Sequence, residues 1–134
     1  MALQSLPDKP RILITEDDLE NQKYLELVLR REFDVTVCDS EDTFNEKLSL
    51  NNFDIIMMDI SLKGGKNGIE IIKDLKRKEP YKNIPVVCLS AHVFGQDKTK
   101  ALEVGVDAYL TKPVDHKLLI QTLNKLLNKR EFAY

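Results

Sequence analysis

Five side chains that could take part in chemistry each follow a short apolar run. Glu16 and Asp17 follow the first run, Asp59 the third, Ser90 the fourth and Lys112 the fifth. If the runs are parallel strands, these residues meet at one edge of a sheet, where α/β proteins bind ligands. Crowded carboxylates raise one another's pKa unless a cation is near, and oxygen donors with room for water and phosphate suit Mg²⁺. A carboxylate nucleophile, Mg²⁺, a lysine and a hydroxyl donor together suit phosphoryl transfer to Asp59.

The elements that must position these side chains alternate along the chain between β-rich runs and amphipathic helical patterns. Strands are predicted at residues 11–15, 34–38, 53–58, 84–89 and 107–110. Helices are predicted at 19–31, after Ser40, at 68–78, around 96–104 and after Asp115. Ser40 and Asp115 are expected N-caps, and Gly105 is expected just beyond the fourth helix. This order predicts an α/β fold, a doubly wound parallel sheet with helices on both faces.

The size and composition predict one globular domain. The 134 residues are 43% hydrophobic and 31% charged, with a formal net charge of −2. We expect a folded domain at residues 11–128, with tails at 1–10 and 129–134. The charge balance offers no basis for binding nucleic acid or an anionic membrane, and no apolar stretch is long enough to span a bilayer. Cys38 and Cys88 each end an apolar run, which predicts buried free thiols and favours a reduced, cytoplasmic setting.

Four segments, in this order, resemble the receiver domain of two-component response regulators. They are "RILITEDD", "DIIMMDISL", "IPVVCLSA" and "GVDAYLTKPVD", and the resemblance extends from about Arg11 to Leu127. It implies a flavodoxin-like fold with a single five-stranded parallel sheet of order 2-1-3-4-5.

The resemblance implies a phosphoacceptor and a set of Mg²⁺ ligands. Asp59 is similar to the aspartate that takes a phosphoryl group from a phosphohistidine. Glu16 and Asp17 match the acidic pair that holds Mg²⁺ together with Asp59 and the backbone carbonyl of Ser61. Asp18 is expected to cap the first helix instead of binding metal.

The resemblance also implies a switch. Ser90 is similar to the hydroxyl residue that moves to contact the phosphoryl group, and Tyr109 to the aromatic residue that changes rotamer with it. Lys112 resembles the lysine that pairs with the phosphate, and the Lys112–Pro113 peptide bond is expected to be cis. The implied partners are a histidine kinase or histidine phosphotransfer protein. An output partner or a homodimer mate would bind through the surface between Gln96 and Leu127.

Other functions are open at this point. Asp59 alone could cap a helix or form a turn. The domain could be a phosphohydrolase with an aspartyl-phosphate intermediate, although such enzymes carry a second carboxylate where this chain has Ser61. It could also be a degenerate receiver that only binds a partner. A receiver would catalyse only its own phosphorylation and dephosphorylation, and so would not be a turnover enzyme.

The segment from Lys63 to Gly68, "KGGKNG", departs from the family pattern. The usual proline is absent, and one extra residue precedes Gly68. The segment lacks the GxxxxGK[ST] spacing of a phosphate-binding loop. Because it borders the expected site, this loop is a candidate for tuning the lifetime of a phosphoaspartate. The resemblance implies that the positions of His92 and Ser61 also influence its hydrolysis.

Overall fold

The computed structural model describes residues 9–62, 67–91 and 95–131, which form five strands and five helices in alternation. The strands are β1 (Arg11–Thr15), β2 (Asp34–Cys38), β3 (Ile55–Asp59), β4 (Val86–Ser90) and β5 (Ala108–Thr111). The helices are α1 (Leu19–Leu29), α2 (Glu41–Leu50), α3 (Gly68–Leu75), α4 (Gly95–Glu103) and α5 (His116–Glu131). Helix α5 therefore continues past the domain boundary expected at residue 128.

All five strands pair in parallel, in the order β2-β1-β3-β4-β5. This confirms the predicted fold class and strand order. Strands β3 and β4 lie in the interior of the sheet and are buried at every position, as expected where helices cover both faces. The register pairs Asp59 with Leu89 and Ser90 with Thr111, so the carboxyl ends of β3, β4 and β5 lie level with one another.

Side chains alternate between the two faces of the sheet and build two separate cores. Helices α2, α3 and α4 cover one face, where Phe44, Ile72 and Ala101 pack against the strands. Helices α1 and α5 cover the other face, with Leu29 and Leu123 among the buried contacts. The rigid strands between these two layers carry the candidate site at their carboxyl ends.

Several element boundaries differ from those predicted. Phe53 and Ile84 are buried but lie outside the strands, whereas Asp59 and Ser90 are the last residues of β3 and β4. An apolar run in the sequence indicates burial, whereas a strand is defined by backbone hydrogen bonding. This bonding includes residues with polar side chains, such as Asp59 and Ser90. Strand β5 is shifted in the same direction, and α1 and α3 end earlier than residues 31 and 78. Beyond α3 the chain continues in tight turns, with the Arg77 and Lys78 amides bonded three residues back.

The helix ends follow the predicted capping pattern. Asp18 and Ser40 cap α1 and α2, and the Asp115 carboxylate accepts from the Leu118 amide at the start of α5. Asn67, which had not been predicted as a cap, accepts from the Glu70 amide at the start of α3. Gly105 has φ +100°, a left-handed conformation that favours glycine.

Both cysteines are free and buried, as predicted. Burial raises the pKa of Cys38 to about 11 and that of Cys88 to about 12. Both are therefore neutral thiols at physiological pH, unsuited to nucleophilic chemistry. Among the described residues, none of the helices has the length and apolar character required to cross a membrane.

Candidate functional site

The carboxyl ends of β1 and β3 bring three acidic residues into one cluster. Glu16 and Asp17 follow β1, Asp59 ends β3, and one carboxylate oxygen from each lies within 4.8 Å of the others. Glu16 is 1% exposed and Asp59 3% exposed, while Asp17 is partly exposed to solvent. The cluster is therefore buried at its base and open on the Asp17 side.

Lys112, from the loop after β5, holds two of these carboxylates. Its Nζ atom lies 2.7 Å from Glu16 Oε1 and 3.0 Å from Asp59 Oδ2. Its backbone amide donates to the Ser90 carbonyl at 2.8 Å, which anchors the loop to the end of β4. The Lys112–Pro113 peptide bond is cis, as expected. The lysine thus neutralises buried acidic charge before any phosphate is present.

Burial and hydrogen bonding have opposing effects on the pKa values of both Glu16 and Lys112. Desolvation raises the pKa of the Glu16 carboxyl above its ordinary 4.5, opposed by hydrogen bonds from Lys112 and the Asp18 amide and reinforced by nearby Asp59. For Lys112, desolvation lowers the pKa, but the contacts with Glu16 and Asp59 outweigh it, so the net shift is upward. The lysine therefore remains charged at neutral pH.

The remaining contacts of Asp59 orient its carboxylate. Its Oδ1 atom accepts a hydrogen bond from the Ser61 amide at 2.9 Å, while Oδ2 faces Lys112. The backbone of Gly68 approaches this strand end closely: a Cβ at residue 68 would overlap the Asp59 carbonyl oxygen and lie 2.8 Å from Met58 Cγ. Glycine at this position lets α3 begin directly against the end of β3.

Of the other predicted residues, Ser90 lies at the same edge of the sheet and Tyr109 lies within β5. Ser90 is fully buried as the last residue of β4, next to Thr111 of β5. Tyr109 lies in β5, partly buried, and packs against the core under α2, α3 and α4. Lys63 to Lys66 of the glycine-rich loop, together with His92, lie outside the described residues.

Two residues of the site had not been predicted from the sequence. Gln22, on α1, donates from its side-chain amide to the Glu16 carbonyl at 2.6 Å. Gly68 had been assigned only as the start of a helix. The available signal for Gly68 was its place at the start of the predicted helix, whereas no comparable signal marked Gln22.

The donors present in the cluster fit a hard divalent cation. All three side-chain groups are carboxylates, and the open Asp17 side leaves room for water and phosphate oxygens. Mg²⁺ prefers such a set over an enclosing cage of protein ligands. Asp17, Asp59 and the backbone carbonyl of Ser61 would supply ligands, with Glu16 at the buried side of the cluster.

Comparison with known proteins identifies the family. The profile of the response regulator receiver domain matches residues 12–124. Hybrid signal transduction histidine kinase I of Dictyostelium discoideum is 34% identical, over 94% of this chain and 8% of the kinase. The phosphate regulon transcriptional regulatory protein PhoB of Escherichia coli is 33% identical, over 89% of this chain and 52% of PhoB. The chain thus spans about half, or much less, of these relatives.

Solved structures agree with this similarity. The Francisella response regulator 1452 receiver domain is 30% identical with a TM-score of 0.82, covering 91% of this chain and 99% of that domain. The receiver domain of sensor histidine kinase PA1611 from Pseudomonas aeruginosa is 25% identical with a TM-score of 0.81, covering 90% of this chain and 98% of that one. That structure has a magnesium ion coordinated in its active-site cleft. The chain belongs to the response regulator receiver domain family, homologous to the receivers of response regulators and hybrid histidine kinases.

Proposed function

We propose that Asp59 is the phosphoacceptor of this receiver domain and takes its phosphoryl group from a histidine kinase or histidine phosphotransfer protein. The observation that carries this proposal is the convergence of Lys112 and the acidic cluster on a buried aspartate. In the transfer, the P–N bond of the donor phosphohistidine breaks and a P–O bond to an Asp59 carboxylate oxygen forms. The donor imidazole nitrogen keeps the electron pair of the broken bond.

We assign the metal site to Asp17, Asp59, the Ser61 carbonyl and, on the buried side, Glu16. When bound, Mg²⁺ supplies positive charge to the oxygens of the transferring group. The chain itself keeps the acceptor oriented, through the Ser61 amide on Asp59 Oδ1 and Lys112 on Oδ2. Such transfer depends mainly on positioning and charge neutralisation, and these contacts supply both.

We assign the switch to Ser90, Tyr109 and Lys112. A phosphoryl group on Asp59 adds negative charge and acceptor oxygens, which Lys112 and the Ser90 hydroxyl would bind. The Lys112 amide already joins the ends of β4 and β5 through the Ser90 carbonyl, so movement there would reach Tyr109 on β5.

We place the responding surface between Gln96 and Leu127. On it, Leu102 of α4 is 49% exposed and Leu118 of α5 is 48% exposed, which suits an output partner or a second copy of the chain. We also propose that the folded unit begins at residue 11. We further propose a cytoplasmic location, because free thiols are typical of a reducing compartment.

A phosphohydrolase is the less favoured alternative. Ser61 stands where an aspartyl-phosphate hydrolase carries its second carboxylate, and its backbone amide donates to Asp59 Oδ1. We therefore propose that the domain dephosphorylates itself and does not turn over external phosphoesters. Steady release of phosphate from an added phosphoester over many turnovers would contradict this.

The test is intact mass spectrometry after incubation with Mg²⁺ and a small-molecule phosphodonor. Wild type is expected to gain the mass of one phosphoryl group, and Asp59→Asn is expected to gain none. Asp34→Asn is the matched control, since this exposed aspartate lies at the opposite end of the sheet, paired with Arg11. An adduct that persists in Asp59→Asn, or no adduct in wild type with any donor, would contradict the proposal.

A further inference from the structure

We propose that Gln22 is a positioning residue for the metal site, acting by orienting Asp17; this inference rests on the proposed function. Gln22 lies in the second turn of α1, and its Nε2 atom donates to the backbone carbonyl of Glu16 at 2.6 Å. Because a carbonyl oxygen can only accept a hydrogen bond, the NH₂ group of the Gln22 side chain must face it. The contact is partly buried, which protects it from competition with water.

The Glu16 carbonyl belongs to the peptide plane that joins Glu16 to Asp17. This plane lies beyond Thr15, the last residue of β1 that pairs with β2 and β3. Holding the carbonyl restricts the rotation of this rigid plane, and so restricts the directions in which the Asp17 side chain can leave the backbone. Gln22 therefore acts on Asp17 through the backbone, from its contact with the Glu16 carbonyl.

The neighbouring contacts hold other parts of the same turn. The Glu16 amide donates to the Cys38 carbonyl of β2, and the Asp18 amide donates to the Glu16 carboxylate. The Gln22 backbone amide donates to the Asp18 carbonyl, which places its side chain above the turn. The Gln22 side chain thus holds the carbonyl of this turn, at 2.6 Å.

A positioning role and a purely structural role predict different metal selectivity. Mg²⁺ requires near-ideal octahedral geometry, whereas Ca²⁺ accepts irregular coordination with longer bonds. A misdirected Asp17 should therefore weaken Mg²⁺ binding more than Ca²⁺ binding. A loss of folded protein would instead lower the apparent affinity for both ions by the same factor.

The experiment measures MgCl₂ and CaCl₂ dissociation constants of the unphosphorylated protein by isothermal titration calorimetry. Gln22→Met keeps the side-chain length but removes the donor. It is expected to weaken Mg²⁺ binding roughly fivefold, the factor typical of one net hydrogen bond, and Ca²⁺ binding by less. Leu27→Met, at a residue 60% exposed on the same helix, is the matched control and should change neither constant.

A second variant retains a donor. Gln22→Arg adds a charge that repels both divalent ions alike, so its ratio of Mg²⁺ to Ca²⁺ dissociation constants should stay near that of wild type. An unchanged ratio in Gln22→Met, or an equal shift of the ratio in both variants, would overturn the inference. If wild type and Asp17→Asn bind Mg²⁺ equally, or wild type does not bind it, the metal site of the proposed function fails, and this inference with it.

Discussion

At the scale of single residues, Lys112 bridges two buried carboxylates of the acidic cluster. It contacts Glu16 and Asp59 at once, and both carboxylates are almost fully buried. Two buried acids beside each other are unfavourable unless a positive charge accompanies them. The lysine thus has a structural role in the resting domain, beyond the phosphate contact that the family resemblance implies.

We expect Lys112→Met to destabilise the metal-free domain by about 3 kcal/mol, because breaking a buried ion pair leaves uncompensated charge. Added Mg²⁺ should recover part of this loss, since ligand binding to the folded state stabilises it. Urea unfolding with EDTA and then with MgCl₂ measures both effects. Lys125→Met, a lysine far along α5, is the control and should change stability little in either condition. A loss of equal size with and without Mg²⁺ would contradict this interpretation.

At the scale of elements, the approach of α3 to the end of β3 determines the shape of the site. The Gly68 amide donates to the Ile60 carbonyl at 3.0 Å, and Asn67 caps the helix beside it. The helix therefore begins within contact distance of Asp59. The alternation of strands and helices was predictable from periodicity, but this close approach was not, since it depends on where two elements meet.

Gly68→Ala is expected to lower the free energy of unfolding by about 1–3 kcal/mol, because the new methyl group collides with the backbone at Asp59. It should also slow phosphoryl uptake per folded molecule, since β3 or α3 must shift to make room. Intact mass over time, together with urea unfolding, checks both expectations.

Gly105→Ala is the control for this variant. Its backbone is strained for alanine by φ +100°, but among the described residues a Cβ there would meet only Lys76 side-chain atoms, at 3.8 Å or more. It should lower stability while leaving the uptake rate of folded protein unchanged. If both glycine variants slowed uptake equally, the close contact of Gly68 with β3 would not be the cause.

At the scale of the whole molecule, the site makes stability depend on pH in a specific direction. The raised pKa of Glu16 means that the folded domain holds this proton more readily than the unfolded chain. Its contribution to stability is therefore full below pH 4.5 and is lost as pH rises through the higher folded pKa. The pKa of Lys112 is raised above 10.5, so its contribution is lost only in strong alkali.

We therefore expect wild type to gain stability relative to Glu16→Gln as the solution is acidified from neutrality to about pH 5. Urea unfolding in EDTA at both pH values measures it. Glu46→Gln, an exposed glutamate of α2, should show no such gain. If wild type instead lost stability relative to Glu16→Gln on acidification, the pKa shift of Glu16 would have the opposite sign.

Local patterns in the sequence predicted the order of elements, the burial of β3 and β4, three helix N-caps and five polar or charged residues at strand ends. These features depend on local spacing and apolar periodicity, which neighbouring residues encode. Strand order followed from resemblance to the receiver family and was confirmed by the paired strands.

The contacts between residues of the site, by contrast, could not be predicted before the chain was seen folded. Lys112 reaches Glu16 across 96 positions of sequence and Asp59 across 53. The hydrogen bond from Gln22 to the Glu16 carbonyl and the contact of Gly68 with β3 likewise form only when helices pack on the sheet. The physical reason is that hydrogen bonds and steric contacts act over a few ångströms, and chain separation does not predict such distances.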